Sequence, residues 1–322
     1  MPKTRKPRAG SLQFWPRVRS KRSYPRIRNW NPSIEPKLLG FAGYKVGMTH
    51  LLINDNRQHS LTKGMEVFYP TTVIECPPIK TASIRFYKNT KNGQKIVSEF
   101  FHSDLSKELD RKITKPKKSG KEASDYDFIR LLCYTQPILT NLGKKKPEMF
   151  EVAVGGTKDQ QIHYAKEKLG KEIKIEEVFK EGQQFDAHSI TQGKGFQGPV
   201  KRFGIQLRHH KSEKSRRNPG SLGAWNAQGH LMWRIAHAGK MGYHLRTEYN
   251  KLILKIGNKP EEINVKGGFL NYGIVKGQYI LVKGSIGGTS KRMIRLTEPM
   301  RQKKQIEAPQ IIYTSTESKQ GK

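Results

Sequence analysis

Three histidines stand seven residues apart in the second half of the chain, at His230, His237 and His244. Imidazole is a general acid or base near neutral pH and the commonest metal ligand. Around these histidines no cysteine or paired carboxylate lies at the spacing of a zinc site, and no serine or cysteine nucleophile can be matched to a histidine. The sequence therefore predicts no catalytic site, no metal site and no cofactor.

Two short segments combine glycine with lysine, as phosphate-binding loops do: GKGFQG (193–198) and GSIGGTSKR (284–292). Neither matches the G-x-x-x-x-G-K-[ST] pattern or precedes a patterned helix, so a nucleotidase is not predicted. One interpretation is a turn or bulge, in which glycine supplies a positive φ. The other is a close approach of the backbone to an RNA phosphate, with charge added by Lys194, Lys291 and Arg292.

The net charge of the 322-residue chain indicates a polyanionic partner, because 61 lysines and arginines against 27 acids give +34. Such an excess repels itself in a compact monomer. A membrane surface is not the expected partner, since the sequence has no apolar run of about 18 residues, no basic amphipathic helix and no lipidation signal. The first ten residues lack the apolar core of a secretory signal. Cys76 and Cys133 stand far apart, which is typical of reduced thiols in a cytosolic protein.

Residues 1–34 contain ten lysines and arginines, no acid and five prolines, which break any helix. Disordered tails are poor in aromatic residues, yet Phe14, Trp15, Tyr24 and Trp30 lie among these cations. Aromatic rings and arginines together suit stacking on bases and pairing with phosphates. An extension ordered by RNA is therefore the preferred interpretation, with a solvated tail as the alternative.

Residues 201–250 show no convincing helical or strand period, and residues 201–220 contain seven lysines and arginines against one acid, Glu213. An irregular segment this long is either a misassigned element or a functional arm, and its charge favours a basic looped arm. The arm includes RRNPGSLGAWNAQGHLMW (216–233), which holds two tryptophans. Trp225 lies among small residues and glycines and is the candidate for contact with RNA. Trp233 is equally suited to packing the returning strand of the arm against the β domain.

Short segments rich in β-branched and aromatic residues, separated by glycine, proline and asparagine, predict the strands of an all-β unit. They occur in two groups, at 37–55, 66–76 and 79–87 and then at 183–191, 251–257 and 277–286.

Residues 95–180, between these two groups, have 18 lysines and arginines against 14 acids, which leaves +30 on the rest of the chain. We interpret them as an α+β insert that faces solvent more than RNA. Two helices are predicted in it from the spacing of apolar residues, the second beginning at an N-cap, Thr157. The apolar positions of the first are Tyr126, Ile129, Leu132 and Cys133, and those of the second are Ile162, Ala165 and Leu169.

A set of motifs covers most of the chain in one order: PRAGSLQFWPRVRSKR, GFAGYKVGMTH, ECPPI, AHSITQGKGFQGPVKRFG, PGSLGAWN and GKMGYHLRTEYNKLILKIG. Together they resemble the universal large-subunit ribosomal protein three family, in its archaeal/eukaryotic form. The insert at 95–180 matches less closely, and the modest length is typical of archaeal members.

The resemblance implies a mainly β fold with an α+β insert, in which a six-stranded translation-protein-like β-barrel carries long basic extensions. The implied domains are a basic rRNA-binding N-terminal extension at 1–35, a discontinuous barrel at 36–94 and 181–300 that contains the looped arm at 201–250, the insert at 95–180 and a C-terminal tail at 301–322.

The resemblance also implies a function without catalysis. The chain would be a structural constituent of the large ribosomal subunit in the cytoplasm, bind large-subunit rRNA, support early assembly and extend Trp225 toward the peptidyl transferase centre and the aminoacyl-tRNA corridor. Neighbouring large-subunit proteins would be partners, with indirect coupling to tRNA and elongation factors and no small-molecule substrate. The predicted rRNA contacts are Arg5, Arg8, Trp15, Arg17, Arg19, Lys21, Arg22, Arg26, Arg28, Lys194, Lys201, Arg202, Arg208, Lys211, Lys214, Arg216, Arg217, Trp225, Lys240, His244, Arg246, Lys291 and Arg292.

The chain departs from the family pattern at three places. Residues 227–230 replace the usual proline and small or basic pair after GAWN, and Lys240 stands where glutamine is usual. Glu213 occupies a position where eukaryotic members have a methylated histidine, so that modification is not predicted.

Two other functions are alternatives to this one. An RNA-processing enzyme with a basic channel would need a convergent acid–base or metal constellation, and none is visible in the sequence. A free translation factor would share the barrel, but the missing nucleotide loop counts against a GTPase.

Overall fold

The computed structural model describes residues 9–116, 118–223, 229–302 and 307–318. The chain divides into two compact units: a small unit of residues 1–22 and 190–245, and a large unit of residues 23–189 and 246–322. The fold is mainly β, as predicted. No helix among the described residues has the length and apolar character needed to cross a membrane.

The regular elements, apart from short 3-10 turns, are β1 (Gly40–Asn54), β2 (Glu66–Glu75), β3 (Ile79–Thr90), β4 (Gly93–Phe101), β5 (Phe128–Tyr134), β6 (Met149–Ala153), α1 (Lys158–Lys168), β7 (Glu172–Ile173), β8 (Gln184–Ile190), β9 (Phe196–Gln197), α2 (Pro199–Phe203), β10 (Gly239–Lys240), β11 (Leu245–Gly257), β12 (Tyr279–Lys283), β13 (Met293–Thr297) and β14 (Ile311–Thr314). All six segments predicted as strands contain one.

A seven-stranded sheet forms much of the large unit, in the order β13-β8-β11-β12-β2-β1-β14. The pairing is antiparallel where its register is defined, as between Tyr44 of β1 and Glu75 of β2. β13 pairs with β1 as well as with β8. Residues alternate between the two faces of each strand, and the inward ones, such as Phe41, Phe185 and Leu296, are fully buried in one core.

The second sheet of the large unit has the order β4-β3-β5-β6, with β7 paired to β3. Helix α1 packs against it and begins after Thr157, whose backbone N–H donates to Oε1 of Gln160 at 3.1 Å. Ala165 is fully buried, and Ile162 and Leu169 pack against the core. The second predicted helix is therefore confirmed, with its N-cap and its apolar face.

The first predicted helix of the insert is wrong, because Ile129, Leu132 and Cys133 lie in strand β5. Leu131 is buried as well, so consecutive side chains on both faces of the strand are covered. A strand covered on both faces loses the alternation of period two, and its apolar run then resembles a helix. Strand β3 belongs to the second sheet although it lies before residue 95, where the insert was predicted to begin. The domain bounds themselves stay predictions.

The end of β2 carries a fully buried carboxylate, Glu75. Its Oε1 accepts from the backbone N–H groups of Lys276 and Gly277, both at 2.9 Å, and its Oε2 accepts from the hydroxyl of Tyr272. Burial and the Glu75 charge raise the pKa of Tyr272, so the hydroxyl remains a donor over the ordinary pH range. This carboxylate holds the loop before β12 against β2.

His188 of β8 lies between two neighbouring strands as a mostly buried imidazole. Its ring nitrogens lie 2.9 Å from Oγ1 of Thr247 and 3.0 Å from Oγ1 of Thr297. Burial, and secondarily the charge of Arg295, lower the pKa of His188 to about 4. The ring is therefore neutral in the folded protein at pH values where an unfolded histidine is already protonated.

This lowered pKa predicts a loss of stability in acid. Between pH 6.5 and pH 4 the unfolded chain binds a proton at position 188 that the folded chain does not bind. The free energy of unfolding should therefore fall by up to about 3 kcal/mol from this residue as the pH is lowered. Urea titrations at a series of pH values should show a shallower decline for His188→Gln. His59→Gln, which changes an exposed histidine, should keep the wild-type decline, and identical profiles for wild type and His188→Gln would contradict the prediction.

Candidate nucleic-acid interface

The small unit concentrates the positive charge of the chain. Its sequence contains 18 lysines and arginines and one acid, Glu213, so it holds half of the net charge of +34 on about a quarter of the residues. Among its described residues only Ile190, Pro199, Phe203 and His244 are buried. A unit with so much like charge and so little buried apolar surface gains little stability from its own core.

An aromatic cluster joins the two chain segments of the small unit. The Trp15 ring stacks on Phe203, with ring centroids 5.8 Å apart, and meets the edge of Trp233 at the same distance. The guanidinium of Arg17 lies 4.1 Å from the centroid of the Phe203 ring, and its Nη1 donates to the carbonyl of Arg202 at 2.9 Å. Trp15 and Arg17, both predicted rRNA contacts, therefore also build the unit, whereas Trp233 remains 58% exposed.

Arg202 holds the return of the arm. Its Nε donates to the carbonyl of Lys240 at 3.1 Å and its Nη1 to the carbonyl of His237 at 3.0 Å. Burial, and secondarily the nearby Arg17 charge, lower the pKa of Arg202. Two N–H donors of Arg202 are therefore bound to backbone carbonyls of the protein, and its positive charge lies near that of Arg17.

His244 is a second internal clamp, being buried in the small unit. Its Nδ1 lies 2.7 Å from the carbonyl of Val18, and its backbone N–H donates to Oγ1 of Thr191 at 3.1 Å. The described contacts of His244 are thus made with protein groups, and any contact of its ring with rRNA remains a prediction.

Most of the other predicted contacts are exposed cations. In the small unit these are Arg19, Lys21, Arg22, Lys194, Lys201, Arg208, Lys211, Lys214, Arg216, Arg217 and Lys240, and in the large unit they are Arg26, Arg28 and Lys291, with Arg246 and Arg292 partly exposed. Arg5, Arg8 and Trp225 lie outside the described residues.

The GKGFQG segment forms a turn that leads into a two-residue ribbon. Gly195 has φ +69°, and its carbonyl accepts from the backbone N–H of Met241 at 2.9 Å. Lys194 is exposed at the start of the turn. Phe196, which follows Gly195, is 72% exposed. Sequence reasoning assigned Phe196 no role, although its position between basic residues in a strand-like segment was a usable signal.

The GSIGGTSKR segment is held from within the large unit by Lys45, which sequence reasoning also missed. Its Nζ donates to the carbonyl of Gly288 at 3.1 Å and to that of Ile286. Burial lowers the pKa of Lys45, with the Glu248 charge opposing it. A lysine inside the apolar strand segment GFAGYKVG was the available signal. Lys291, which has φ +69°, remains exposed at the end of the segment.

The described residues contain no group of three or more histidine, cysteine, aspartate or glutamate side chains that could hold a metal ion. Cys76 and Cys133 are free and fully buried, and burial raises the pKa of Cys133 to about 12. Thiols of this kind are poor nucleophiles, because the thiolate is the reactive form.

The model of the family described as Ribosomal protein L3 matches residues 1–127 and 117–321, which together span nearly the whole chain. The chain belongs to the ribosomal protein L3 family. The resemblance read from the motifs is therefore confirmed. Because this family comprises structural proteins, the chain is not an enzyme, as predicted.

Similar L3 proteins come from archaea and bear the name large ribosomal subunit protein uL3. The protein of Methanobrevibacter smithii is 46% identical over 330 residues, which cover 98% of each chain. That of Archaeoglobus fulgidus is 46% identical over 332 residues, covering 99% of this chain and all of the relative. That of Methanothermobacter thermautotrophicus is 44% identical over 343 residues and covers both chains completely.

Proposed function

We propose that this chain binds large-subunit rRNA mainly through its small unit, as a structural component of the large ribosomal subunit. The chain is a large-subunit protein of the L3 family and works in the cytoplasm, within that subunit. The observation that carries the rRNA proposal is the concentration of half the net charge in the small unit, beside only four buried residues in its described part. Phosphates would supply the countercharge that the unit lacks.

The finer parts of the proposal rest on the resemblance. Residues 1–35 and the arm at 201–250 penetrate rRNA and support early assembly. Trp225 approaches the peptidyl transferase centre and the aminoacyl-tRNA corridor, which couples the protein indirectly to tRNA and elongation factors. The large unit contacts neighbouring ribosomal proteins and contains a six-stranded barrel, a proposal that the pairing of β13 with both β8 and β1 supports.

The electrostatic part of the proposal is tested by neutralising exposed cations of the arm. Changing Lys211, Lys214, Arg216 and Arg217 to glutamine removes up to four phosphate contacts. Because each phosphate contact releases counterions, it steepens the plot of log affinity against log salt concentration by roughly 0.7–0.9 units of slope. The slope for binding to protein-free large-subunit rRNA should therefore become shallower by about 3 units, with weaker binding at low salt.

A matched variant carries four glutamines in place of Lys95, Lys107, Lys118 and Lys121, exposed lysines of the segment predicted to face solvent. It makes the same change in net charge and should keep the wild-type slope. Equal losses in both variants would mean that charge acts without a localised interface and would overturn the proposal.

A further inference from the structure

We propose that Phe196 is a stacking platform for an unpaired RNA nucleobase, with Lys240 and Lys194 beside it for the flanking phosphates. This inference rests on the proposed function, since it names the chemical group of rRNA that one part of the small unit receives. Stacking was not among the predicted contacts of this segment, which relied on backbone and lysine alone.

Phe196 is the most exposed aromatic side chain in the part of the chain that the structure describes, at 72%. A single exposed apolar side chain is ordinary on a protein surface and by itself indicates nothing. What distinguishes Phe196 is its setting, because it lies in the unit that has one acid among 18 lysines and arginines.

The ring is presented by a short, well-fixed ribbon. Phe196 pairs with Lys240 and Gln197 with Gly239 in the register of β9 and β10. The ribbon is closed at its end by a 2.8 Å hydrogen bond from the backbone N–H of Lys194 to the carbonyl of Met241. Preorganised groups lose less conformational entropy on binding, so this geometry favours an interaction partner for the ring.

Arg202 anchors the ribbon through the strand that contains Lys240. Its Nε donates to the carbonyl of Lys240, the residue directly opposite Phe196. A guanidinium with a lowered pKa is thus used to fix the strand beside the ring, while Phe196 itself remains exposed. Removing this anchor would release the ribbon, whereas changing Phe196 would leave the ribbon in place.

The chemistry around the ring selects the kind of partner. Opposite residues of an antiparallel pair project from the same face, so the Phe196 ring and the Lys240 side chain share one side of the ribbon. An aromatic face beside cations is the combination used to hold single-stranded nucleic acid, where a base stacks and its phosphate is neutralised. Bases within a duplex are already stacked on their neighbours, so the expected occupant is an unpaired base.

The test compares full-length Phe196→Leu with wild type for binding to protein-free large-subunit rRNA. Leucine keeps an apolar side chain but has no π-face, and because the ring is exposed the fold should be unaffected. We expect binding to weaken about 5- to 100-fold at constant salt, with an unchanged salt slope, and Phe196→Trp to bind at least as well as wild type. Lys240→Gln should instead lower the slope by about 1.

Phe68→Leu is the matched control, since Phe68 is 55% exposed in the large unit, and its affinity should equal that of wild type. Chemical probing of the complexes should reveal an unpaired base that becomes reactive with Phe196→Leu but not with Phe68→Leu.

The outcomes separate this inference from the proposed function. If wild type binds rRNA with a steep salt dependence and Phe196→Leu binds equally well, the proposal that Phe196 stacks on a base is wrong and the proposed function stands. If wild type itself does not bind rRNA, the proposed function fails. If Phe196→Leu binds rRNA normally but loses a neighbouring ribosomal protein, the occupant is a protein and the nucleobase is excluded.

Discussion

Glu75→Ala is expected to lower the free energy of unfolding of the chain by about 3–5 kcal/mol. The change leaves three donors without their acceptor: the buried hydroxyl of Tyr272 and the partly buried backbone N–H groups of Lys276 and Gly277. A buried donor without an acceptor costs roughly 1–3 kcal/mol, and the lost side chain also leaves a cavity. Urea-induced unfolding followed by circular dichroism measures the loss.

Two further variants show whether the carboxylate itself is responsible. Tyr272→Phe removes one of the three hydrogen bonds and should cost about 1–2 kcal/mol. Glu75→Gln keeps an oxygen acceptor and should lose less than Glu75→Ala. If alanine and glutamine at position 75 gave equal losses, the three hydrogen bonds would not be the source of the stability.

Phe203→Ala should have the largest effect on the small unit. The side chain is 6% exposed and contacts both Trp15 and Arg17. Truncating a buried phenylalanine costs about 3–5 kcal/mol. A unit with so few buried residues cannot compensate for that loss, so the N-terminal segment should separate from the arm. Limited proteolysis should then cleave the small unit much faster than in wild type.

The same variant should bind large-subunit rRNA at least about tenfold more weakly, because a disordered segment must be ordered on binding. Phe86→Ala is the control, since it truncates a fully buried phenylalanine of the large unit. That variant should lower the unfolding transition of the large unit while leaving proteolysis of the small unit slow. Slow cleavage of the small unit in Phe203→Ala would show that the aromatic cluster is dispensable.

The regular elements of the large unit could be predicted wherever one period dominated. Strands β1, β2 and β12 follow β-branched and aromatic runs between turn residues, and α1 follows from an N-cap with apolar residues on one face. Strand β5 could not be predicted in this way, because coverage on both faces removed the alternation that marks a strand. Sheet membership was equally hidden, since β3 and β2 look alike in sequence but pair in different sheets.

The candidate site was predictable in its charge and not in its internal contacts. Counting cations identified the N-terminal segment and the arm, because a charge excess needs no structure to be seen. The stacking of Trp15 on Phe203 joins residues far apart in sequence and has no period, so no local pattern could reveal it. For the same reason the use of Arg17 and Arg202 as donors to backbone carbonyls could not be separated from their use toward phosphates.

The small unit joins residues 1–22 to residues 190–245, which are synthesised much later. The contact of the Val18 carbonyl with His244 can form only after another 226 residues have been made. The hydrogen bond from Arg17 to the carbonyl of Arg202 can form only after another 185. At roughly 5–20 residues per second, translation separates these partners by about 10–45 s. Throughout that interval the basic N-terminal segment lacks the contacts that later fix it, so the small unit cannot close until the interval has passed. The most basic part of this ribosomal protein is therefore completed only long after its N-terminal segment has been made.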